Sequence, residues 1–329
     1  MKEVRIFIRK KSNSYQHSIE RFAMSLKKIK KKQIFKVKII KCPVTSKGIL
    51  SRIYLVLWSF FNQGDVNHIL GDINFISILM NKKKTINTFL DCRLINEFSG
   101  LKKFIYKWFW FYLPIGNSAY NTFISKFTLF QIQKNLKKKI YNSEVIPVPL
   151  VDKFNFKINL RKKKKILIIG TLKHKNLKNM LIALEGLNTD LTIVGEISLE
   201  IKSLCLKKDI LFKNYVSVSD NFIKKLFKEN DILLMVSKYE GFGMPVLEAQ
   251  SSGMAVITSN IEPMRTVAGD QSILVNPNKP NEIKKNIKKL ISNKDYYLKN
   301  IKRGKQNSLN YDSFLINKKY MKLYSKILN

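Results

Sequence analysis

The chain has 329 residues, of which 45% are hydrophobic, so its composition is that of a globular protein long enough for two domains and not that of a disordered or fibrous chain. Lys and Arg number 61 against 23 Asp and Glu, and the formal net charge of +38 favours contact with nucleic acid, a phospholipid surface or a phosphorylated substrate. Compositional drift toward Lys, Asn and Ile is the alternative source of this charge.

Cysteine usage and hydropathy indicate the compartment. The three cysteines, Cys42, Cys92 and Cys205, are odd in number and far apart, which favours reduced thiols in a reducing compartment. The first residues, MKEVRIFIRKK, predict a strand and not a signal peptide, because the apolar run is short and broken by charge. The most hydrophobic stretch, Phe104–Gly116, is shorter than the roughly 20 residues of a spanning helix. We therefore expect a cytoplasmic protein without a transmembrane anchor.

The first half of the sequence predicts alternating strands and helices. Strands are predicted at Val4–Ile8, Phe35–Ile40, Val66–Leu70, Thr85–Cys92 and Glu144–Pro149, and helices from Ile19 to Leu26, over 51–62, from Gly71 to Met80 and over 101–113. The loop before the first helix contains His17 and no glycine. His68 lies within an apolar strand, so its predicted role is that of a core histidine with satisfied hydrogen bonds.

The second half begins after a polar, basic segment. Residues 150–164 have no clear period, and the domain boundary is placed there. Strands are then predicted at 165–169, 191–194, 210–216, 231–236 and 255–258, and helices from Leu177, from Ser219 or Asp220 to Lys228, and from Tyr311 to Leu328. Strand–helix alternation of this kind predicts a parallel, doubly wound sheet.

Residues 231–259 form the central unit of this half: a strand, a loop, a helix and a second strand. Pro245 suits the first position of the helix, where no backbone donor is needed, and Gly253 suits a left-handed cap at its end. In open α/β sheets, a loop at the carboxyl end of a strand is where ligands bind.

The loop of this unit has the groups needed to bind a charged, hydroxyl-rich ligand. Gly241 and Gly243 allow close approach of the backbone, and the free N–H groups at the helix start suit a phosphate. Glu240 and Glu248 can accept hydrogen bonds from hydroxyls. A lone glycine pair is ordinarily a turn and a lone glutamate a solvated helix residue, but the combination favours a binding site.

The segment EGFGMPVLEA resembles the double-glutamate signature of the family 4 retaining GT-B glycosyltransferases, which include bacterial polysaccharide and lipopolysaccharide enzymes. The segment GTLKHKN, 170–176, resembles that family's phosphate-binding loop. The resemblance implies an α/β fold of the GT-B type, with two Rossmann-like domains facing across a cleft. It assigns residues 1–150 to an acceptor domain and 151–310 to a nucleotide-sugar domain, with the helix at 311–329 packing back on the first.

The resemblance also implies the reaction and the residues. A hexosyl group would pass from a UDP- or GDP-linked donor to a glycan or lipid-linked acceptor with retention of configuration. Glu240 would contact sugar hydroxyls, Lys175 would neutralise the diphosphate, and Glu248 would hold the ribose. The other residues implied to bind the donor are Gly170, Thr171, His174, Asn176, Gly195, Tyr215, Val216, Gly241, Phe242, Gly243, Met244 and Pro245. No cofactor or metal is expected, because the sequence has no Asp-x-Asp.

The first half departs from the family pattern. In many relatives the strand at Thr85–Cys92 ends in Thr-Ile-His-Asp, but here Leu90 takes the place of the histidine, and an aliphatic chain cannot hydrogen-bond a sugar. Asp91 remains and is the third candidate catalytic residue. The missing histidine and the loop without glycine keep a second hypothesis open, a non-catalytic GT-B partner subunit of a glycosyltransferase complex.

The aromatic helix over 101–113 has two interpretations. It is an ordinary buried helix, or one face with Lys102, Lys103 and Lys107 lies on an anionic membrane, where Trp and Tyr are favoured. The second interpretation predicts peripheral contact with the inner face of the cytoplasmic membrane. The remaining hypothesis, a nucleic-acid-binding protein, rests on charge alone, and since no nucleic-acid motif supports it we expect no nucleic-acid partner.

Overall fold

The computed structural model describes residues 1–10, 18–28, 35–152, 154, 156–269 and 272–329; His17 lies outside them. The chain divides into two compact units. Unit 1 comprises Met1–Val151 and Asp312–Asn329, and unit 2 comprises Asp152–Tyr311. Unit 1 therefore contains the last helix of the chain as well as its first 151 residues.

Within the described residues, each unit contains one six-stranded sheet whose paired strands are all parallel. The strands of unit 1 are β1 (Lys2–Ile8), β2 (Phe35–Lys41), β3 (Val66–Leu70), β4 (Thr85–Phe89), β5 (Tyr120–Phe123) and β6 (Ser143–Val145). Those of unit 2 are β7 (Lys164–Ile169), β8 (Thr189–Val194), β9 (Phe212–Tyr215), β10 (Ile232–Met235), β11 (Ala255–Ser259) and β12 (Ile273–Val275). Their orders are β2-β1-β3-β4-β5-β6 and β12-β11-β10-β7-β8-β9.

Helices alternate with the strands along the chain. They are α1 (Ser18–Lys27), α2 (Ile49–Phe61), α3 (Arg93–Glu97), α4 (Gly100–Lys107), α5 (Leu113–Gly116), α6 (Lys126–Leu136), α7 (Leu177–Leu184), α8 (Leu199–Lys207), α9 (Asp220–Glu229), α10 (Met244–Ser252), α11 (Met264–Ala268), α12 (Pro280–Ser292), α13 (Lys294–Leu309) and α14 (Ser313–Leu328). Strands and helices alternate in both units, which gives the α/β architecture that the alternation predicted.

Two predicted helices of unit 1 differ from the structure. The helix expected from Gly71 to Met80 is a 3₁₀-helix over Asn74–Leu79, and the Asn117 side chain donates to three carbonyls at its end, those of Ser77, Ile78 and Met80, at 2.6, 3.1 and 2.8 Å. The aromatic helix predicted over 101–113 is divided in the structure into three consecutive parts: α4, a π-helical turn over Trp108–Tyr112, and α5. Pro114 follows that turn, and because proline has no N–H the regular helical ladder is interrupted there.

A buried histidine joins the sheet of unit 1 to its last helix. His68 on β3 hydrogen-bonds through Nδ1 to the Tyr324 hydroxyl of α14 and through Nε2 to Thr88 Oγ1 of β4, both at 2.7 Å. The Tyr320 ring stacks on the imidazole at 5.2 Å between centroids. Burial lowers the pKa of His68 to about 3, so the ring is neutral in the folded state. The prediction of a satisfied core histidine is confirmed.

The order in which strands are added to the sheet of unit 2 reverses between β7 and β10. Strands β8 and β9 lie on one side of β7, and β11 and β12 lie beyond β10. In open parallel sheets this reversal leaves a crevice at the carboxyl ends of the two central strands, where ligands bind. Among the described helices of the chain, none has both the length and the apolar character needed to cross a membrane.

Candidate functional site

Two loops that were predicted to form the site lie next to each other where the strand order of unit 2 reverses, between β7 and β10. β7 and β10 pair directly, with Ile166 opposite Ile232, and both strands end at the same edge. The loop at 170–176 follows β7, and the loop at 236–243 follows β10. The backbone N–H of Lys238 donates to the carbonyl oxygen of His174 at 2.7 Å, so the two loops are hydrogen-bonded to each other.

The central contact of the site joins Lys175 to Glu240. Lys175 Nζ lies 2.8 Å from Glu240 Oε1, and the two side chains are only 18% and 11% exposed. Gly170 makes this contact possible: its φ is +91°, and a Cβ at this position would lie 2.9 Å from Lys175 Cε. The lysine side chain thus lies across the glycine backbone and reaches the other loop, which brings together an ammonium and a carboxylate that are 65 residues apart.

Helix α10 begins at Met244, four residues after Glu240 in the chain. Gly243 precedes it with a φ of +102°, and no side chain caps the helix start. A Cβ at Gly243 would lie 2.7 Å from the Met264 sulfur, so the glycine lets the loop lie against the Met264 side chain of α11. The first turn of the helix carries backbone N–H groups and the positive end of the helix dipole, which together favour an anion. Pro245 lies in this first turn, and Gly253 ends the helix in the left-handed conformation, as predicted.

The Asn176 side chain connects the loop after β7 to the loop after β10 by hydrogen bonding. Asn176 is buried, adopts a left-handed φ of +62°, and donates from Nδ2 to the carbonyl oxygens of Val236 and Pro277 at 2.9 and 2.7 Å. These bonds tie the end of β10 and the segment after β12 to the start of α7. Of the residues predicted to bind the donor, Asn176 therefore has both side-chain N–H groups committed to the protein itself.

A third loop reaches the same sheet edge from β8. Gly195 has a φ of +130°, and a Cβ there would lie 2.8 Å from Thr171 Oγ1, so this glycine lies against the loop that carries Lys175. Asn214 Nδ2 donates to the Gly195 carbonyl oxygen at 2.9 Å, and Tyr215 accepts from the Gly195 N–H at 2.8 Å. Val216 follows β9 and is exposed. The structure thus groups Thr171, Gly195 and Tyr215 beside the Lys175 loop.

Two site features were not predicted from the sequence. The Ser237 hydroxyl is buried at the carboxyl end of β10 and, among the described residues, has no hydrogen-bond partner. Met264 lies against Gly243. Ser237 could have been found from the sequence, because it is the first polar residue after a strand of buried residues. The contact of Met264 with Gly243 could not, because it depends on how α10 and α11 pack. Glu248, which was predicted, lies in the second turn of α10 and is buried.

The model of the family glycosyl transferases group 1 matches residues 151–307, which contain all three loops. The match covers slightly less than half of this chain. The whole chain also aligns with solved glycosyltransferase structures, although the identities are too low to show more than the fold. HepE of Anabaena, solved with UDP and glucose, has a TM-score of 0.77 at 12% identity and covers 99% of this chain and 100% of that one. Sucrose-phosphate synthase of Thermosynechococcus elongatus has a TM-score of 0.78 at 10% identity, with 99% coverage of both chains. The predicted GT-B fold class is confirmed.

Proteins with detectable sequence similarity match shorter segments of this chain than the solved structures do. An uncharacterized glycosyltransferase of Methanocaldococcus jannaschii is 26% identical over 180 residues, which are 48% of this chain and 46% of that protein. The O-antigen chain mannosyltransferase B of Escherichia coli is 38% identical over 61 residues, 18% of this chain and 16% of that protein. The chain spans less than half the length of these relatives.

Asp91, the remaining predicted site residue, lies in unit 1, outside the segment that the family model matches. It follows β4, and its carboxylate accepts a hydrogen bond from the Arg93 N–H at 3.1 Å. Enclosure by neighbouring protein atoms raises the pKa of the Asp91 carboxyl group, against the lowering effect of Arg93. Leu90, at the position where relatives have histidine, is half-buried. Across the described ranges, no three His, Cys, Asp or Glu side chains are placed to hold a metal ion.

Proposed function

We propose that this protein is a family 4 hexosyltransferase that moves a sugar from a UDP- or GDP-linked donor to a hydroxyl of a glycan or lipid-linked acceptor, with retention of anomeric configuration. The observation that carries the proposal is the Lys175–Glu240 pair, 2.8 Å apart, beside the start of α10 in the segment that the family model matches. This arrangement offers a cation for phosphate and a carboxylate for sugar hydroxyls at one sheet edge.

The charges of the site match those of the reaction. When the sugar departs, negative charge grows on the nucleoside diphosphate, and an ammonium with helix-start N–H groups can stabilise it without a metal ion. Lys175 has three N–H donors, so it can keep its bond to Glu240 and donate to a phosphate oxygen as well. The bond orients both groups before the donor arrives, which reduces the entropy cost of binding.

The predicted residues of the loop after β10 and of α10 then have roles in the proposed donor site. Glu240 accepts from sugar hydroxyls, and the N–H groups of Phe242, Gly243 and Met244 meet the sugar and phosphate. Glu248 holds the ribose. Retention follows if the acceptor hydroxyl attacks the anomeric carbon from the face that the phosphate leaves. The bond from the anomeric carbon to the phosphate oxygen then breaks, the bond to the acceptor oxygen forms, and the departing phosphate oxygen takes the hydroxyl proton. Gly170 and Gly195, where a Cβ would meet the Lys175 and Thr171 side chains, let the three loops lie close together at the sheet edge where the nucleotide would bind.

The names of the relatives support a polysaccharide acceptor. O-antigen chain mannosyltransferase B matches at 38% identity over 61 residues. A Campylobacter jejuni N-acetylgalactosaminyltransferase whose name specifies a diphospho-undecaprenol substrate is 27% identical over 108 residues. Both act, by name, on surface or lipid-linked glycans, and we propose the same class of acceptor for this protein.

A donor screen tests the transferase proposal. The full chain is incubated with UDP- and GDP-linked hexoses and a lipid-linked glycan acceptor, and release of UDP or GDP is measured. We expect turnover with one donor, and a fall in turnover of roughly 100-fold or more in Lys175→Met and Glu240→Ala, the range for loss of a charge-stabilising group. Lys173→Met is the matched control, because Lys173 is exposed in the same loop and should change turnover by less than about threefold.

The competing function is a non-catalytic partner subunit, which Leu90 favours because it cannot replace the histidine of active relatives. The screen separates the two functions when a known active transferase is added. If the wild type releases no nucleotide from any donor but raises the activity of that transferase, the partner function is correct and the catalytic proposal is wrong.

A further inference from the structure

Helix α2 in unit 1 turns its apolar side outward. Of its 13 residues only Leu55 and Ser59 are buried, and the sequence has one charge, Arg52. Large apolar residues repeat every three or four positions on the outer side and are exposed: Leu50, Ile53, Tyr54, Leu57, Phe60 and Phe61. Single exposed apolar residues are ordinary, but a continuous stripe marks an interaction surface.

A second apolar segment continues this surface. Leu101, Phe104, Ile105 and Phe109, on α4 and the π-helical turn, are also exposed, and α4 buries none of its residues. A groove of about 550 Å³ lies between α2, the 3₁₀-helix and this segment, and Arg52 is the one charged side chain among the described residues that line it. We call the exposed apolar residues of 49–61 and 101–109, with the groove between them, the α2–α4 face.

Positive charge surrounds the α2–α4 face. Lys47 precedes α2, Lys82, Lys83 and Lys84 follow the 3₁₀-helix, and Lys102 lies on α4. All five lysines are exposed. The sequence has no Asp or Glu at 42–64, 73–90 or 98–143, the segments that form the face and its surroundings.

Unit 1 as a whole carries most of the charge. It has 32 Lys and Arg against 8 Asp and Glu, and thus +24 of the formal +38. Two nearby acids have basic partners: Asp72 pairs with Arg9 at 2.7 Å, and Glu97 with Arg93 at 3.1 Å. The surroundings of the α2–α4 face are therefore complementary to an anionic surface.

We propose that the α2–α4 face docks unit 1 on an anionic phospholipid bilayer. Apolar and aromatic side chains would enter the boundary between headgroups and hydrocarbon, while the lysines would stay at the level of the phosphates, as in interfacial helices. Helix α2 is about 20 Å long by its rise per residue, so it would lie in the plane of the membrane. A second copy of the chain fits less well, because a symmetric dimer through this face would bring the two sets of lysines together.

Vesicle co-sedimentation of the full chain tests this inference. We expect binding to phosphatidylcholine vesicles with about 30 mol% phosphatidylglycerol to exceed binding to pure phosphatidylcholine at least tenfold, and to weaken as salt rises from about 0.1 M to about 0.5 M. Lys83→Gln with Lys102→Gln should weaken binding by about fivefold per lysine. The control is Lys207→Gln with Lys213→Gln, two exposed lysines of unit 2.

The decisive variant removes apolar contact and leaves the charge unchanged. Leu50 and Phe61 are 84% and 80% exposed, so Leu50→Ser with Phe61→Ser should leave the fold intact and reduce vesicle binding at least tenfold. Leu206→Ser with Leu211→Ser is the matched control in unit 2, where the two leucines are 83% and 82% exposed, and it should bind like the wild type. Circular dichroism checks that both variants remain folded.

Three results would overturn the proposal. The first is full binding of the Leu50/Phe61 variant to anionic vesicles, because charge alone would then account for binding. The second is binding of the wild type to RNA but to no vesicle. The third is a dimer in sedimentation equilibrium that only the Leu50/Phe61 variant loses, which would assign the face to a second copy. None of these results bears on sugar transfer, which is measured separately by nucleotide release.

Discussion

The buried His68 makes the stability of unit 1 depend on pH in a direction that the structure fixes. Its pKa is lowered from the usual 6.5 to about 3 in the folded protein, because burial disfavours the charged ring. Between pH 6.5 and pH 3, the His68 side chain binds a proton in the unfolded chain but not in the folded protein. The contribution of His68 is therefore fully present above pH 6.5 and is lost as the pH falls toward 3. A shift of this size corresponds to a loss of about 5 kcal/mol over that range, or about 1.4 kcal/mol per pH unit.

Urea unfolding of wild type and His68→Gln measures this effect. The three tryptophans, Trp58, Trp108 and Trp110, all lie in unit 1, so their fluorescence reports the unfolding of that unit. Between pH 6 and pH 4 we expect the wild type to lose about 3 kcal/mol more free energy of unfolding than the variant, which cannot titrate at this position. His174→Gln is the control, since His174 lies in unit 2 and should leave the pH dependence unchanged.

Parallel pH profiles would contradict this expectation. If wild type and His68→Gln lose stability at the same rate between pH 6 and pH 4, then His68 accepts a proton in the folded state, and burial does not hold the ring neutral.

Three further substitutions test the backbone and the loops of unit 2. Gly253→Ala should destabilise by roughly 2 kcal/mol or more in urea unfolding, because its Cβ would lie 2.4 Å from a backbone oxygen, whereas Gly186→Ala, also at positive φ but with open space around it, should cost only about 1 kcal/mol. Asn176→Ala should cost about 2–3 kcal/mol, since it leaves two carbonyls without their donor, and equal stability would contradict its positioning role. Gly170→Ala should displace Lys175 and weaken UDP or GDP binding in calorimetry by about tenfold or more; unchanged affinity would show that the lysine does not need this path.

The regular elements of the fold followed from the sequence where burial is complete. Strand β3 has the predicted bounds, and α10 begins at Met244, one residue before the predicted first position at Pro245, and ends before Gly253 as expected. Such elements depend on local periodicity and on residues whose backbone preferences are strong. The 3₁₀-helix and the π-helical turn were not predicted, because they depend on the distant Asn117 side chain and on a local interruption at Pro114.

The residues of the candidate site could be named from the sequence, but their contacts could not. Lys175 and Glu240 both carried motif signals, yet no pattern says that their side chains meet at 2.8 Å. The order of the strands supplies that contact, since it places β7 beside β10. The outward face of α2 was also hidden, because an apolar helix has the same sequence pattern whether it packs on the core or on a partner.

The most direct test of the proposed donor site is a crystal structure of the full chain with the nucleoside diphosphate that the donor screen identifies. We expect a phosphate oxygen within about 3 Å of Lys175 Nζ and another within about 3 Å of a backbone N–H in the first turn of α10. A diphosphate bound elsewhere, with Lys175 contacting only Glu240, would contradict this donor site.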